Sequence, residues 1–199
     1  MWDIEKRMVL EAAQQMVQKG LVVGNMGNVS MRLIDASGRE LLGITPSGSH
    51  YDLLNSDDIV VVDFEGKCVE GKRKPSMETM LHVEIYKTRE KVNAIVHSHP
   101  VFSSVIAVMG LEIPAILDDQ VFCLGGGIKV AESAPSDRTE MVRNVVSALG
   151  MRNAVIMANH GALSVGSDMR DALTNCEILE KTAKIYVYTL SLGKANLLQ

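Results

Sequence analysis

Apolar and polar positions along this chain repeat with two periods, and the switches between them mark out its elements. Residues 3–19 place Ile4, Met8, Ala12 and Met16 at helical spacing, and Gly20 follows as a stop. Val29–Leu33 alternates with period two, with Ser30 and Arg32 on one face and Val29, Met31 and Leu33 on the other, so it predicts a strand. Asp35-Ala36-Ser37-Gly38 reads as a turn, and Glu40–Thr45 as the second strand of a pair. Ile59–Val62 predicts a third strand, after which Glu65-Gly66-Lys67 turns the chain back. Ser76–Arg89 predicts a helix that buries Met80, Val83 and Tyr86. Ala94–Val96 reads as a short buried strand running into His97-Ser98-His99-Pro100, and Pro100 suits the first turn of a helix ending near Met109. Ser136–Leu149 and Met169–Leu192 predict two more helices, the second long and amphipathic, that cover the sheet or meet a neighbouring subunit. Between them lies a buried strand, Ala154–Ala158, ending at Asn159-His160-Gly161. The order predicts one α/β domain over residues 1–199, with a mixed or mainly antiparallel central sheet covered by helices.

Composition narrows the class. Of 199 residues, 47% are hydrophobic and 22% charged, which is ordinary for a globular chain and excludes fibrous and disordered classes. The net charge of −4 argues against general binding to nucleic acid or anionic membranes, while leaving room for a local anion site. No apolar run approaches the roughly 18 residues that span a bilayer, and the charged N-terminus has no signal-peptide core. Cys68, Cys123 and Cys176 are far apart and odd in number, so they read as small hydrophobic filler in a cytoplasmic protein.

The candidate chemistry lies in the histidines. If the strand continues through His99, then His97 and His99 project to one face, about 7 Å apart at Cα, and can converge on one metal ion. His160 ends another strand, and three neutral imidazoles with an open fourth position compose a catalytic zinc site. Imidazoles also suit iron, cobalt or nickel. His50 and His82 have no such setting and read as structural or exposed. Glu78 stands in the predicted first helical turn, after a candidate N-cap at Ser76. Beside a metal, its carboxylate could move a proton of a hydroxy-ketone, while the metal stabilises the enediolate oxygen. Gly24-Asn25-Met26-Gly27-Asn28-Val29-Ser30 and Thr45-Pro46-Ser47-Gly48-Ser49 carry the small residues and hydroxyls that can cradle an anion, without forming a dinucleotide or P-loop motif. Gly125-Gly126-Gly127 reads as a turn, and Asp118 and Asp119 carry no specific signal.

In order and spacing, Gly27-Asn28-Val29-Ser30, Thr45-Pro46-Ser47-Gly48, Pro75-Ser76-Met77-Glu78, His97-Ser98-His99 and Asn159-His160-Gly161 resemble the class II aldolase/adducin family, within it the fuculose-phosphate aldolase type. The resemblance implies a three-layer α/β/α domain with a mainly antiparallel sheet. It implies zinc held by His97, His99 and His160, with Glu78 as catalytic acid/base that also touches the metal when substrate is away. It places Gly27, Asn28, Ser47, Gly48 and Ser76 at the substrate phosphate, and implies a homotetramer with active sites at subunit contacts. Three positions depart from the fuculose type: Met77 replaces a second serine, Ile113-Pro114-Ala115 leads to Leu117-Asp118-Asp119 without the usual tyrosine, and the sequence stops at Gln199 before a tyrosine-bearing tail. The expected activity is cleavage of a short ketose phosphate or related hydroxy-carbonyl compound. The alternatives are a metal-dependent decarboxylase of a small oxo-acid and a non-catalytic adducin-like module. Glutamate at position 78, where epimerases of this family carry aspartate, weighs against epimerisation.

Overall fold

The computed structural model describes residues 1–134 and 139–198. Eight strands form one sheet in the order β4-β3-β2-β1-β5-β8-β7-β6. They are β1 Asn28–Ile34, β2 Glu40–Ile44, β3 Val60–Asp63, β4 Cys68–Glu70, β5 Ala94–Ser98, β6 Val130–Ala131, β7 Ala154–Met157 and β8 Gly161–Gly166. Among the described residues only the β6–β7 pair is parallel; the other neighbours run antiparallel. The helices are α1 Asp3–Gln18, α2 Thr79–Thr88, α3 Val101–Met109, α4 Asp118–Leu124, α5 Thr139–Leu149 and α6 Met169–Leu192.

Strand alternation sorts the side chains into two cores. Leu42, Val62, Ile95, Leu163 and Val165 face α2 and α5, packing on Leu81, Ile85, Met141 and Val145. On the opposite face, Val29, Ala94 and Val96 pack against α1 and the start of α6, while Ala154, Ile156 and Ala162 meet α3, α4 and the rest of α6. The result is the three-layer α/β/α arrangement with a mainly antiparallel sheet. No helix among the described residues is long and apolar enough to cross a membrane.

Several local expectations change. The helix expected from Ser76 begins at Thr79: Ser76 and Glu78 close a tight turn instead, with Thr79 N donating to Ser76 O at 3.2 Å. Met80 is 43% exposed rather than core, standing in the first turn of α2, while Val83 and Tyr86 are buried as expected. Ile4 is likewise exposed, before the first turn of α1 reaches the sheet. Cys68 lies exposed on edge strand β4, so it is not core filler; Cys176 is buried, and all three cysteines are free thiols. The expected start of a helix at Ser136 lies outside the described residues, and α5 is described from Thr139. β8 escaped the pattern reading because it is buried on both faces and shows no alternation. α4, β4 and β6 are too short to show a period.

One tertiary contact bears on the site. α3 begins directly after His99-Pro100, and its first amides would be orphaned. The Glu180 carboxylate, from α6, accepts from Phe102 N at 2.9 Å and from Ser103 N and Oγ at 2.8 Å each. The long helix thus caps the short one and steadies the segment that carries His99.

Candidate metal centre

Each histidine is placed by a different element. His97 is fully buried in β5, and its Nδ1 lies 2.9 Å from the Ala162 carbonyl of β8. A carbonyl only accepts, so Nδ1 carries the proton and Nε2 keeps its lone pair. β5 ends at Ser98, so His99 stands one residue beyond the strand. Its backbone N–H donates to Leu21 O at 3.0 Å, which ties it to the loop after α1. His160 sits at the tip of the β7–β8 hairpin, after Asn159 in the left-handed region at φ 56°. Asparagine tolerates that conformation better than most residues.

The three rings converge. Their centroids are 4.8, 4.9 and 5.1 Å apart, and one ring nitrogen of each lies within 4.8 Å of the others. His97 Nε2 and His99 Nε2 are 2.9 Å apart. Glu78, just before α2, turns its carboxylate onto them, with Oε2 3.3 Å from His97 Nε2 and Oε1 3.5 Å from His160 Nε2. Asn28 Nδ2 donates to Oε2 at 2.6 Å. Ligand atoms at zinc distances of 2.0–2.1 Å in a tetrahedron stand about 3.3 Å apart, and the donor pairs at 2.9, 3.3 and 3.5 Å bracket that spacing.

Electrostatics point the same way. Burial, and then the neighbouring His97 and His160, push His99 down to about 4; burial, and then His97, lower His160. Both rings are therefore neutral at neutral pH, with lone pairs free for a cation. Glu78 is only 7% exposed. Burial raises its pKa, but His97, His160 and the Asn28 hydrogen bond outweigh this and hold it below the usual carboxylate range. A neutral ring, however, offers a carboxylate no charge. His99 and His160 stay neutral, since packing cationic rings about 5 Å apart would be far costlier. The buried carboxylate then lacks a cation, and its Oε1 has no hydrogen-bond partner among the described residues. A divalent metal would satisfy both, so the donor set fits one.

The expected phosphate residues share this cleft. Gly27, Asn28, Ser47, Gly48 and Ser76 line a cavity of about 150 Å³ together with Glu78 and the three histidines. Gly27 has φ +78°, and a Cβ there would stand 2.3 Å from His97 O, so only glycine fits. Tyr51 OH donates to Gly27 O at 2.6 Å, which anchors the loop from beneath. Ser47 N donates to Lys74 O at 2.9 Å and Ser76 N to Thr45 O at 3.2 Å, pinning the two hydroxyl segments together. Asn25, Met26, Pro46 and Met77 also line the cleft, although motif reading had not assigned them there. The signal for Met26 and Met77 was adjacency to Gly27 and Ser76. No lysine or arginine is among the lining residues.

His82, expected to be structural or exposed, is fully buried beneath the site, and burial drives it down to about 3. Its Nδ1 lies 2.7 Å from Ser30 Oγ, which lies 2.8 Å from Tyr86 OH. Asp118 and Asp119 lie in the first turn of α4, outside the cleft, and Asp119 pairs with Lys181.

Comparison with known proteins agrees with this architecture. The family described as Class II Aldolase and Adducin N-terminal domain matches residues 7–187. A 5-deoxy-D-ribulose 1-phosphate aldolase of Bacillus thuringiensis is 32% identical over 194 residues, covering 98% of this chain and 89% of the relative. A 5-methylthioribulose-1-phosphate/5-deoxyribulose-1-phosphate aldolase of Rhodospirillum rubrum is 34% identical over 190 residues, covering 96% and 83%. A solved L-fuculose 1-phosphate aldolase superposes with a TM-score of 0.92 at 33% identity, covering 98% of this chain and 90% of its own. Fold, near-full-length similarity and the histidine cluster converge: the chain belongs to the class II aldolase and adducin family, and among its members it is an enzyme of the aldehyde-lyase kind.

Proposed function

We propose that this protein is a zinc-dependent aldolase that cleaves a short ketose phosphate between the carbons bearing its third and fourth oxygens. The observation that carries the reading is the convergence of His97, His99, His160 and Glu78 at the floor of a cleft whose walls are glycine and hydroxyl loops. Relatives that resemble the chain over nearly its whole length are named for ketose 1-phosphates, which supports the substrate class.

His97, His99 and His160 would hold the zinc, with Glu78 beside it in the resting site. A cation bound there supplies a Lewis acid for the substrate's carbonyl oxygen. Cleavage takes a proton from the hydroxyl on the departing carbon and returns one to the carbon left behind; ionised Glu78, the carboxylate beside the histidines, would take up the first and deliver it as the second. We assign that transfer to Glu78, with Asn28 Nδ2 holding its Oε2 in place. Gly27, Asn28, Ser47, Gly48 and Ser76 would bind the phosphate through hydroxyls, amide groups and backbone N–H, without a cationic side chain.

Cytoplasmic location and homotetrameric assembly are part of the proposal. Val101 and Val108 of α3, Phe122 of α4 and Leu192 of α6 are all more than half exposed on helices that cover the same face of the sheet. Apolar exposure of that extent supports burial against further copies.

The test is direct. The purified protein is assayed with 5-deoxy-D-ribulose 1-phosphate and L-fuculose 1-phosphate, reading dihydroxyacetone phosphate release through coupled NADH oxidation. Cleavage should vanish with a chelator and return with zinc. Full activity after the metal is stripped, or no cleavage of any short ketose phosphate, would overturn the reading. Carbon dioxide release from a small oxo-acid in place of cleavage would identify a decarboxylase.

A further inference from the structure

Beneath the metal site, β1 and α2 face each other like the sides of a ladder. Asn28 and Ser30 are alternate residues of β1 and point to the same face. Glu78 and His82 are four residues apart, one helical turn, on the segment that packs over that face. The rungs are hydrogen bonds: Asn28 to Glu78 at 2.6 Å, and Ser30 to His82 at 2.7 Å. Tyr86, one further turn along, meets Ser30 at 2.8 Å.

The hydrogen-bond inventory around these rungs does not close. Asn28 Oδ1 and His82 Nε2 are buried and have no partner among the described residues. Their chemistry is complementary. Asn28 gives its amide N–H to a carboxylate, so the assignment of its oxygen is secure and Oδ1 is a free acceptor. If Tyr86 OH donates to Ser30 Oγ and Ser30 donates to His82 Nδ1, every polar atom of that chain is used and the ring proton sits on Nε2. His82 Nε2–H is then a free donor. Leaving either atom unpaired forfeits the hydration it had in the unfolded chain, so native proteins rarely do it. Adjacent rungs are about 5.5–7 Å apart, by strand and helix geometry. Two hydrogen bonds of about 2.8 Å let the partners of one water stand up to about 5.6 Å apart, which reaches the lower end of that range.

We propose that a single buried water joins His82 Nε2–H to Asn28 Oδ1, and that His82 is thereby a positioning residue for Glu78. The order of contact runs Tyr86, Ser30, His82, water, Asn28, Glu78. Through it the rigid core fixes the Asn28 side chain, and Asn28 fixes the carboxylate Oε2. The water site stands on the unpaired atoms alone. The effect on turnover also rests on Glu78 being the proton carrier.

Two measurements test it. A crystal structure of the zinc-loaded wild type, at a resolution that shows ordered water, should place one water within hydrogen-bond distance of both atoms. A direct His82–Asn28 bond, or no water between them, overturns the proposal. The second compares His82→Leu, which removes the donor, with His82→Gln, which keeps one, on the ketose phosphate the wild type cleaves. Outer contacts of this kind are worth on the order of 10-fold, so kcat should fall by about that factor in His82→Leu with zinc content unchanged. His82→Gln should recover most of the loss. Wild-type kcat in His82→Leu, or equal loss in both variants, overturns the positioning role. Should His82→Leu fail to fold, the water and the glutamine variant still decide. If no ketose phosphate is cleaved, the aldolase reading fails while the water readout still stands.

Discussion

Gly161 follows His160 in the hairpin turn, and its lack of a side chain is what lets the two histidine-bearing strands close. A Cβ at this position would stand 2.5 Å from Ser98 O, 2.8 Å from His99 Cδ2 and 3.3 Å from His97 Cε1. Real Cβ atoms essentially never come within 3.0 Å, so Gly161→Ala forces β5 and the hairpin apart by at least about 0.5 Å. Ser98 O is backbone in the middle of the sheet and cannot swing aside. His99 and His160 lie on opposite sides of the strain, so the donor triangle opens. Overpacking of this size costs about 1–3 kcal/mol of stability, and loosening a ligand set typically costs 10- to 100-fold in metal affinity. We expect Gly161→Ala to fold, melt lower and bind zinc at least about tenfold more weakly, read by competition with a chromogenic chelator. Gly166→Ala is the control. It meets a harsher conflict, 2.2 Å from Ala172 N, at the other end of β8, about 17 Å from the site. It should lose stability and keep wild-type zinc affinity. Unchanged affinity in Gly161→Ala, or an equal loss in both, would refute the reasoning.

Other outcomes follow from the same geometry. Glu78→Gln should keep zinc, held by the three histidines, and lose about 10²- to 10⁴-fold in kcat because the amide cannot carry the proton; near-normal turnover would remove Glu78 from the mechanism. In the metal-free protein, His99 and His82 are lowered to about 4 and about 3, against about 6.5 unfolded, so the unfolded chain binds more protons below pH 6.5. Their contribution is complete above that pH and declines toward pH 4. Glu78, also lowered, acts in the same sense on its own lower range, being lost as pH falls through its folded value. The melting temperature of the apo protein should therefore fall steadily from pH 7 to 4, and a flat profile would contradict buried neutral rings. Phe122, 90% exposed on α4, should lie in a subunit contact. Phe122→Asp should lower the native mass measured by light scattering, whereas Met151→Glu, on an exposed apolar residue before β7, should not.

What the sequence determined by itself is local. The periods of α1, the β1–β2 pair and α6 depend on which side chains recur on one face, and α6 spans the expected Met169–Leu192. The candidate donors were also legible, not from His97-Ser98-His99 or His160-Gly161 alone, since neither motif is specific by itself, but from the order of all the motifs along the chain. Short or doubly buried elements were not: β8 shows no alternation, yet it is the strand that orients the His97 ring through Ala162. Ser76 is by residue type a candidate N-cap, but the pairing of Pro46 with Pro75 holds that segment in a turn and delays the helix.

Only the tertiary structure decided which donors meet. His97 and His160 are 63 positions apart in the sequence, and nothing in either segment encodes their separation; it follows from the antiparallel register of β5 against β8. The role of His82 is likewise invisible in the chain, since its partners Ser30 and Tyr86 reach it through the stacking of α2 on β1. Propensity and periodicity are properties of a few neighbouring residues, whereas a metal site is a closure condition on segments far apart. That condition is set by sheet order and packing, which no local pattern contains.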